Sequence, residues 1–116
     1  MKMKSKVIHF SNVLESKVEM EGARDVFIRW LVSKDDEAPN FYLRMFTIKP
    51  NGFTPYHKHN YEHEVFVLEG EGKVIIENNE SVLKSGFVVT VPPDIMHQFK
   101  NESSFDFRFL CLIPRV

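Results

Sequence analysis

Turn-forming residues interrupt this sequence at short intervals, and no long window keeps a helical period. Between the interruptions lie short runs of β-branched and aromatic residues, at 6–10, 26–32, 41–48, 63–68, 73–77, 81–84, 87–91, 97–100 and 104–113. The separators are residues 34–40, Pro50-Asn51-Gly52, Glu69-Gly70-Glu71-Gly72, Asn78-Asn79, Ser85-Gly86 and Pro92-Pro93-Asp94. Many short strands with frequent turn signals predict an all-β sandwich or barrel. A turn of helix fits near 35–40 or near the N-terminus. In the last run Phe105, Phe107, Phe109 and Cys111 fall on one face, with Asp106 and Arg108 between them. That period of two aims one apolar face at a core. From Leu110 onward both faces are apolar, so this strand end is expected to be covered on both sides.

With 116 residues, the chain is expected to form one domain over residues 1–116. Its 11 phenylalanines are bulky and rigid enough to fill the core of so short a chain. A net charge of −1, from 15 basic and 16 acidic residues, points to neither nucleic acid nor an anionic membrane. Cys111 is the only cysteine, so no intrachain disulfide can form, and a reducing cytoplasm is the expected location. The basic start, Met1-Lys2-Met3-Lys4-Ser5-Lys6, is not followed by the apolar segment of a signal peptide. No apolar stretch approaches the ~20 residues of a membrane span.

Four of the five histidines can carry chemistry. His57, His59 and His63 fall within seven residues, directly before the apolar run Val65-Phe66-Val67-Leu68. In extended chain, residues i and i+2 point the same way, so His57 and His59 can aim at one point. His63 can join them after a short reversal, and His97 opens a run that sheet pairing could bring alongside. Imidazole is neutral near pH 7 and offers a nitrogen lone pair, which makes it the commonest metal ligand. One divalent ion held by His57, His59, His63 and His97 is the expected centre. His9 stands alone and reads as a surface or hydrogen-bonded residue.

The glycines and prolines around these histidines extend the pattern. The first segment reads Pro50-Asn51-Gly52, four residues, His57-x-His59, three residues, His63, six residues, Gly70. The second reads Gly86, five residues, Pro92-x-Asp94-x-x-His97, three residues, Asn101. Together they resemble the two motifs of the cupin superfamily, G-x5-H-x-H-x3,4-E-x6-G and G-x5-P-x-G-x2-H-x3-N. The segments Asn40-Phe41-x-x-Arg44-x-Phe46-Thr47, Glu62-His63-Glu64-x-Phe66-Val67-Leu68 and Phe109-Leu110-Cys111-Leu112-Ile113-Pro114 further resemble the small single-domain manganese cupins with a four-histidine site. There are three departures. Gly52 is one residue closer to His57, and Asp94 replaces a turn glycine, a substitution turn geometry accepts. His63 stands where most cupins have a glutamate ligand. Glu64 is the alternative ligand; the six-residue distance to Gly70 favours His63.

The resemblance implies a jelly-roll barrel with a motif core over about 41–113. It also implies a homodimer, for which the N-terminal strands, roughly 6–32 with Trp30, could supply the interface. It implies Mn²⁺ as the ion, with Fe²⁺, Ni²⁺ and Zn²⁺ as alternatives. Four neutral imidazoles leave the ion its full charge, and octahedral coordination would leave two open positions, as oxygenase chemistry needs. The expected function is therefore a metal-dependent oxidoreductase, of dioxygenase or oxidative-cleavage type, on a small organic substrate. A metal-dependent isomerase or lyase, with Glu64, Tyr56 or Tyr61 as candidate base, is one alternative. A non-catalytic small-molecule-binding domain is another. Arg44, Phe99, Phe109, Cys111 and Ile113 are the expected pocket lining. Arg44 shares an apolar row with Tyr42, Phe46 and Ile48. Such a charge is either solvent-exposed or paired, or else placed to receive an anion.

Overall fold

The computed structural model describes residues 2–116. Its strands are β1 (Glu15–Lys17), β2 (Arg24–Val32), β3 (Phe41–Phe53), β4 (His63–Glu69), β5 (Glu71–Ile76), β6 (Asn79–Lys84), β7 (Val88–Val91), β8 (His97–Lys100) and β9 (Phe107–Pro114). Short 3-10 turns occupy Phe10–Asn12 and Lys34–Asp36. The strands form one sheet in the order β6-β5-β8-β3-β9-β4-β7, with β2 added to β3 and β1 to β2. Every pairing is antiparallel. The sheet curls on itself into the expected all-β jelly-roll.

Alternation decides which side chains fill the barrel. On β9 the buried residues are Phe107, Phe109, Cys111 and Ile113, and the residues between them are only half-buried. On β4 they are His63, Val65 and Val67, and on β8 His97 and Phe99. Together with Val26, Tyr42, Ile48, Val74, Leu83 and Val91 they make the core. Burying one such aliphatic or phenylalanine side chain contributes roughly 1.5–3 kcal/mol. Phe46 stacks on Phe109 at 5.4 Å and Phe109 on Phe99 at 4.7 Å, so one aromatic row crosses the interior from β3 to β8.

Asn101, fully buried, fixes the junction beyond β8. Its Nδ2 donates to the carbonyls of Ile48 (2.8 Å) and Phe105 (2.7 Å), and its Oδ1 accepts from the Ser103 amide and hydroxyl. Asp94 occupies the left-handed region at φ +63°, where the motif has glycine. A short polar side chain tolerates that conformation. Gly70, at φ +82°, has no such freedom, because a Cβ there would run into the Asp106 carbonyl.

Three expectations about strand limits are corrected. Residues 6–10 do not form a strand. Val7 is fully exposed with nothing apolar to meet, and Lys6 instead ties to the Leu31 carbonyl and Asp36. Pro50-Asn51-Gly52 does not end its strand. Asn51 takes φ +69° and β3 continues to Phe53, where it pairs with both Arg24 and Lys100. The last strand begins at Phe107 rather than 104, and Phe105 is 77% exposed, outside the core row. The serine hydroxyl and Asn101 bonds at 103–105 hold that segment in a turn. His9 behaves as expected: its ring caps the first 3-10 turn by accepting from the Ser11 amide. Among the described residues, no helix is long and apolar enough to cross a membrane.

Candidate metal centre

Backbone pairing brings the two histidine segments together. His57 and His97 exchange two main-chain hydrogen bonds, His57 N to His97 O at 3.1 Å and His97 N to His57 O at 2.9 Å. The Asp94 amide donates to the His59 carbonyl at 2.7 Å, so the turn before β8 holds the loop that carries His59. His63 enters from the first position of β4, opposite Val91. The four rings gather as a result. Ring centroids are 4.4 Å apart for His57 and His59, 5.2 Å for His57 and His97, 5.2 Å for His59 and His63, and 4.9 Å for His63 and His97. Tyr61 stacks almost parallel on His59 at 4.9 Å.

Hydrogen bonding sets which ring nitrogens are free. His97 Nδ1 lies 2.9 Å from the Ile95 carbonyl, so Nδ1 carries the proton and Nε2 keeps its lone pair. A backbone carbonyl that accepts from the far ring nitrogen commonly orients a metal-ligating histidine. His63 Nδ1 lies 3.5 Å from Cys111 Sγ and 3.5 Å from Arg44 Nη2, and His63 Nε2 is buried with no partner. A buried polar atom without a partner is costly unless something else satisfies it.

The cluster also resists protonation. Burial first, then the neighbouring His59, His97 and Arg44, lowers His57 to about 4. Burial first, then His97, Arg44 and the other rings, lowers His63 to about 3. His59 and His97 are lowered as well, again chiefly by burial. Neutral imidazoles are the form a metal ion requires. The donor set therefore fits one divalent ion. Among the described residues, however, no group of three or more His, Cys, Asp or Glu already stands in metal-holding geometry. The fold gathers the rings, and binding would have to draw their nitrogens onto the ion.

The other expected residues divide between this cluster and its surroundings. Glu64 is exposed on the outer face, opposite Leu112, with the reverse parity to His63. Cys111 reaches His63, and Arg44 donates to Cys111 Sγ at 3.0 Å. Phe99 approaches His97 edge-on at 6.4 Å, and Phe109 lies behind Phe99. Ile113 is buried beside Tyr42, its pairing partner on β3. Of the candidate bases, Tyr56 turns away toward the Glu77 carbonyl.

Two contributors were not anticipated. Trp30, which the sequence places only in a possible interface, pairs with Arg44 and lies 5.7 Å from its guanidinium carbon. The β2–β3 register creates that contact, and no local pattern encodes it. The sequence offers Tyr61 only as a candidate base. Its place two residues after His59 was the available signal for stacking.

The family model described as the cupin domain matches residues 44–113. A polyketide cyclase, RemF, from Streptomyces resistomycificus is 31% identical, with a TM-score of 0.90 over 96% of this chain and 80% of that one. A predicted oxalate decarboxylase from Thermotoga maritima has the same fold, with a TM-score of 0.86 at 22% identity over 96% of this chain and all of that one. The 1-methylthio-D-xylulose 5-phosphate methylsulfurylase of Rhodospirillum rubrum is 30% identical over 71 residues, 61% of this chain and 46% of that protein. The chain thus spans less than half the length of the curated relatives it matches.

Proposed function

The chain belongs to the cupin family, and on that premise we propose that it is a metal-dependent enzyme that holds one divalent ion with His57, His59, His63 and His97 and acts on a small organic substrate. The convergence of the four neutral rings, with a buried and unpartnered His63 Nε2 among them, carries this reading. When bound, the ion would supply Lewis acidity and open coordination positions. Mn²⁺ is the first candidate, followed by Fe²⁺, Ni²⁺ and Zn²⁺. A nitrogen donor set binds the later metals more tightly, so the supply at expression would decide what a sample carries.

For the reaction, two readings stand in order. The first is non-redox chemistry at a carbonyl group, of isomerase, lyase or cyclisation type. The likeness to a protein named as a polyketide cyclase, across 96% of this chain, favours it. The second is O₂-dependent oxidation, favoured by an all-imidazole donor set that leaves the ion in its divalent state.

Elemental analysis of protein expressed with manganese and iron both supplied tests the metal. Near one ion per chain, falling sharply in His57→Ala, is the expected result. An unchanged metal content in that variant would refute the site. Zn²⁺-loaded and Mn²⁺-loaded protein then separate the reactions. Turnover with redox-inert Zn²⁺ supports the first reading, and turnover only with Mn²⁺ or Fe²⁺ and O₂ uptake supports the second.

The proposed assembly is a homodimer. The outer face of β3, β9, β4 and β7 offers a shallow, mostly apolar groove of about 250 Å³, where Leu43, Phe66, Val88, Leu110 and Leu112 share the lining with Val65 and the charged Glu64. This is the outer row of the strand end whose two faces are both apolar in sequence. A second copy would supply the cover that the barrel itself does not.

A further inference from the structure

Arg44 is a cation without a counter-charge, set against the histidine cluster. It belongs to the β3 row that includes the buried Tyr42 and Ile48. Its guanidinium carbon lies 5.0 Å from the Phe46 ring and 5.7 Å from the Trp30 ring. Its Nη2 meets only the Cys111 thiol at 3.0 Å and the His63 edge at 3.5 Å. Its Nε is buried with no partner. Among the described residues, none of the ion pairs includes Arg44.

Arg44 is half-buried, and the part of a guanidinium taken out of water, here its Nε, costs stability unless an anion or matching hydrogen bonds offset it. The Cys111 thiol accepts one hydrogen bond, but neither it nor the neutral His63 ring supplies a negative charge. The planar fork of arginine matches a carboxylate through two parallel hydrogen bonds. The aromatic rings on its flanks suit an anion with a flat, apolar body better than a bare inorganic one.

We propose that Arg44 is the anion-holding residue of this site, and that it binds the carboxylate of a small, flat organic acid whose other end faces the histidine cluster. The assignment deepens the metal-centre reading and rests on it for its catalytic meaning. The binding itself can be tested without metal.

Calorimetric titration of metal-free and Mn²⁺-loaded protein with benzoate, benzamide and inorganic phosphate is the experiment. Trp30, the only tryptophan, lies against the guanidinium and gives a parallel fluorescence signal. Benzoate is expected to bind both forms, and benzamide at least about tenfold more weakly, as loss of a charge-assisted hydrogen bond implies. Arg44→Gln should weaken benzoate by a similar factor with metal content and circular dichroism unchanged. Arg44→Lys, which keeps the charge and loses the fork, should fall between. If Arg44→Gln does not fold, Arg44→Lys carries the comparison. Equal benzoate affinity in wild type and variant, no benzoate binding by either form, or equal binding of benzamide would overturn the proposal. Tighter binding of phosphate than of benzoate would overturn the carboxylate assignment, and loss of metal in the Arg44 variants would make Arg44 a support of His63 instead. Failure of the metal reading would appear separately, as metal content unchanged in His57→Ala while benzoate binding by the wild type persists.

Discussion

The guanidinium of Arg44 donates a hydrogen bond to the buried thiol of Cys111, 3.0 Å away across the β3–β9 pair. Two effects oppose each other at that thiol. Burial raises its pKa and is the larger effect, while the charge and hydrogen bond of Arg44 lower it. The thiol therefore stays protonated at neutral pH, and the thiolate is the reactive form. Native protein at pH 8 is expected to react with iodoacetamide at least roughly tenfold more slowly than protein in urea. Mass-spectrometric alkylation rates check this. Equal rates in the two states would mean that Cys111 is accessible and ionised.

Asn101 satisfies four groups from a position with no solvent access. Asn101→Ala would leave the Ile48 and Phe105 carbonyls and the Ser103 amide without these partners inside the protein. The expected loss is about 2–4 kcal/mol, the range for breaking a buried hydrogen-bond network. Urea unfolding monitored by circular dichroism measures it. A loss below about 1 kcal/mol would mean that water replaces the amide easily.

How much of this was legible in the sequence depended on whether the information was local. Strand 97–100 was read at its true limits, because His97 and Phe99 alternate with polar residues between two clear turns. His63 and Glu64 could not be separated by hydrophobicity, because Val65 and Val67 alternate with Phe66 and Leu68. Pairing to β7 and β9 places His63 inside and Glu64 outside. Residues 6–10 look like a strand by composition, but a strand needs a neighbour, and none is offered to Val7 and Ile8. The contact of Trp30 with Arg44 depends on register between strands that the sequence separates by a turn. The donor geometry of the four rings was likewise not readable from spacing, which fixes proximity and not direction.

Acid should weaken the metal-free fold through the histidines. Their unfolded value is near 6.5, whereas burial lowers His57 to about 4 and His63 to about 3 in the folded state. Above pH 6.5 these groups are neutral in both states and contribute no pH dependence. Below it the unfolded chain binds protons that the folded chain refuses, so stability falls between about pH 6.5 and 3. Thermal melts of chelator-treated protein at pH 7.5, 6 and 5 should show a falling Tm. The slope should be smaller in His63→Gln, which removes the most strongly shifted of the four. A Tm that is flat from pH 7.5 to 5 would contradict the burial of these rings.

The outer face makes a separate prediction about assembly. Phe66→Glu places a charge in the apolar groove beside Leu110 and Val88, its pairing partners. Phe66 is 45% exposed, so the folded chain should tolerate the change. Sedimentation velocity should give a dimer for wild type and for Trp30→Ala, and a monomer for Phe66→Glu. A dimer that survives Phe66→Glu but is lost in Trp30→Ala would move the interface to the N-terminal strands.

The final test separates the two candidates for the third ligand of the first histidine segment. His63 Nε2 is buried and unpartnered within the ring cluster, whereas Glu64 points outward opposite Leu112. If the ion is held as proposed, His63→Ala removes one of four donors and opens a cavity beside Cys111. Its metal content should fall well below that of wild type, and its affinity by at least about tenfold. Glu64→Ala changes only the outer face, so its metal content should equal that of wild type. Both variants can be purified with a single measured supply of Mn²⁺ and compared by elemental analysis. Retention by His63→Ala with loss in Glu64→Ala would require β4 to reverse its parity, and would invalidate the site as drawn. Loss in both would mean that the metal depends on the stability of β4 as a whole. Melting curves of the two variants would then show a common drop.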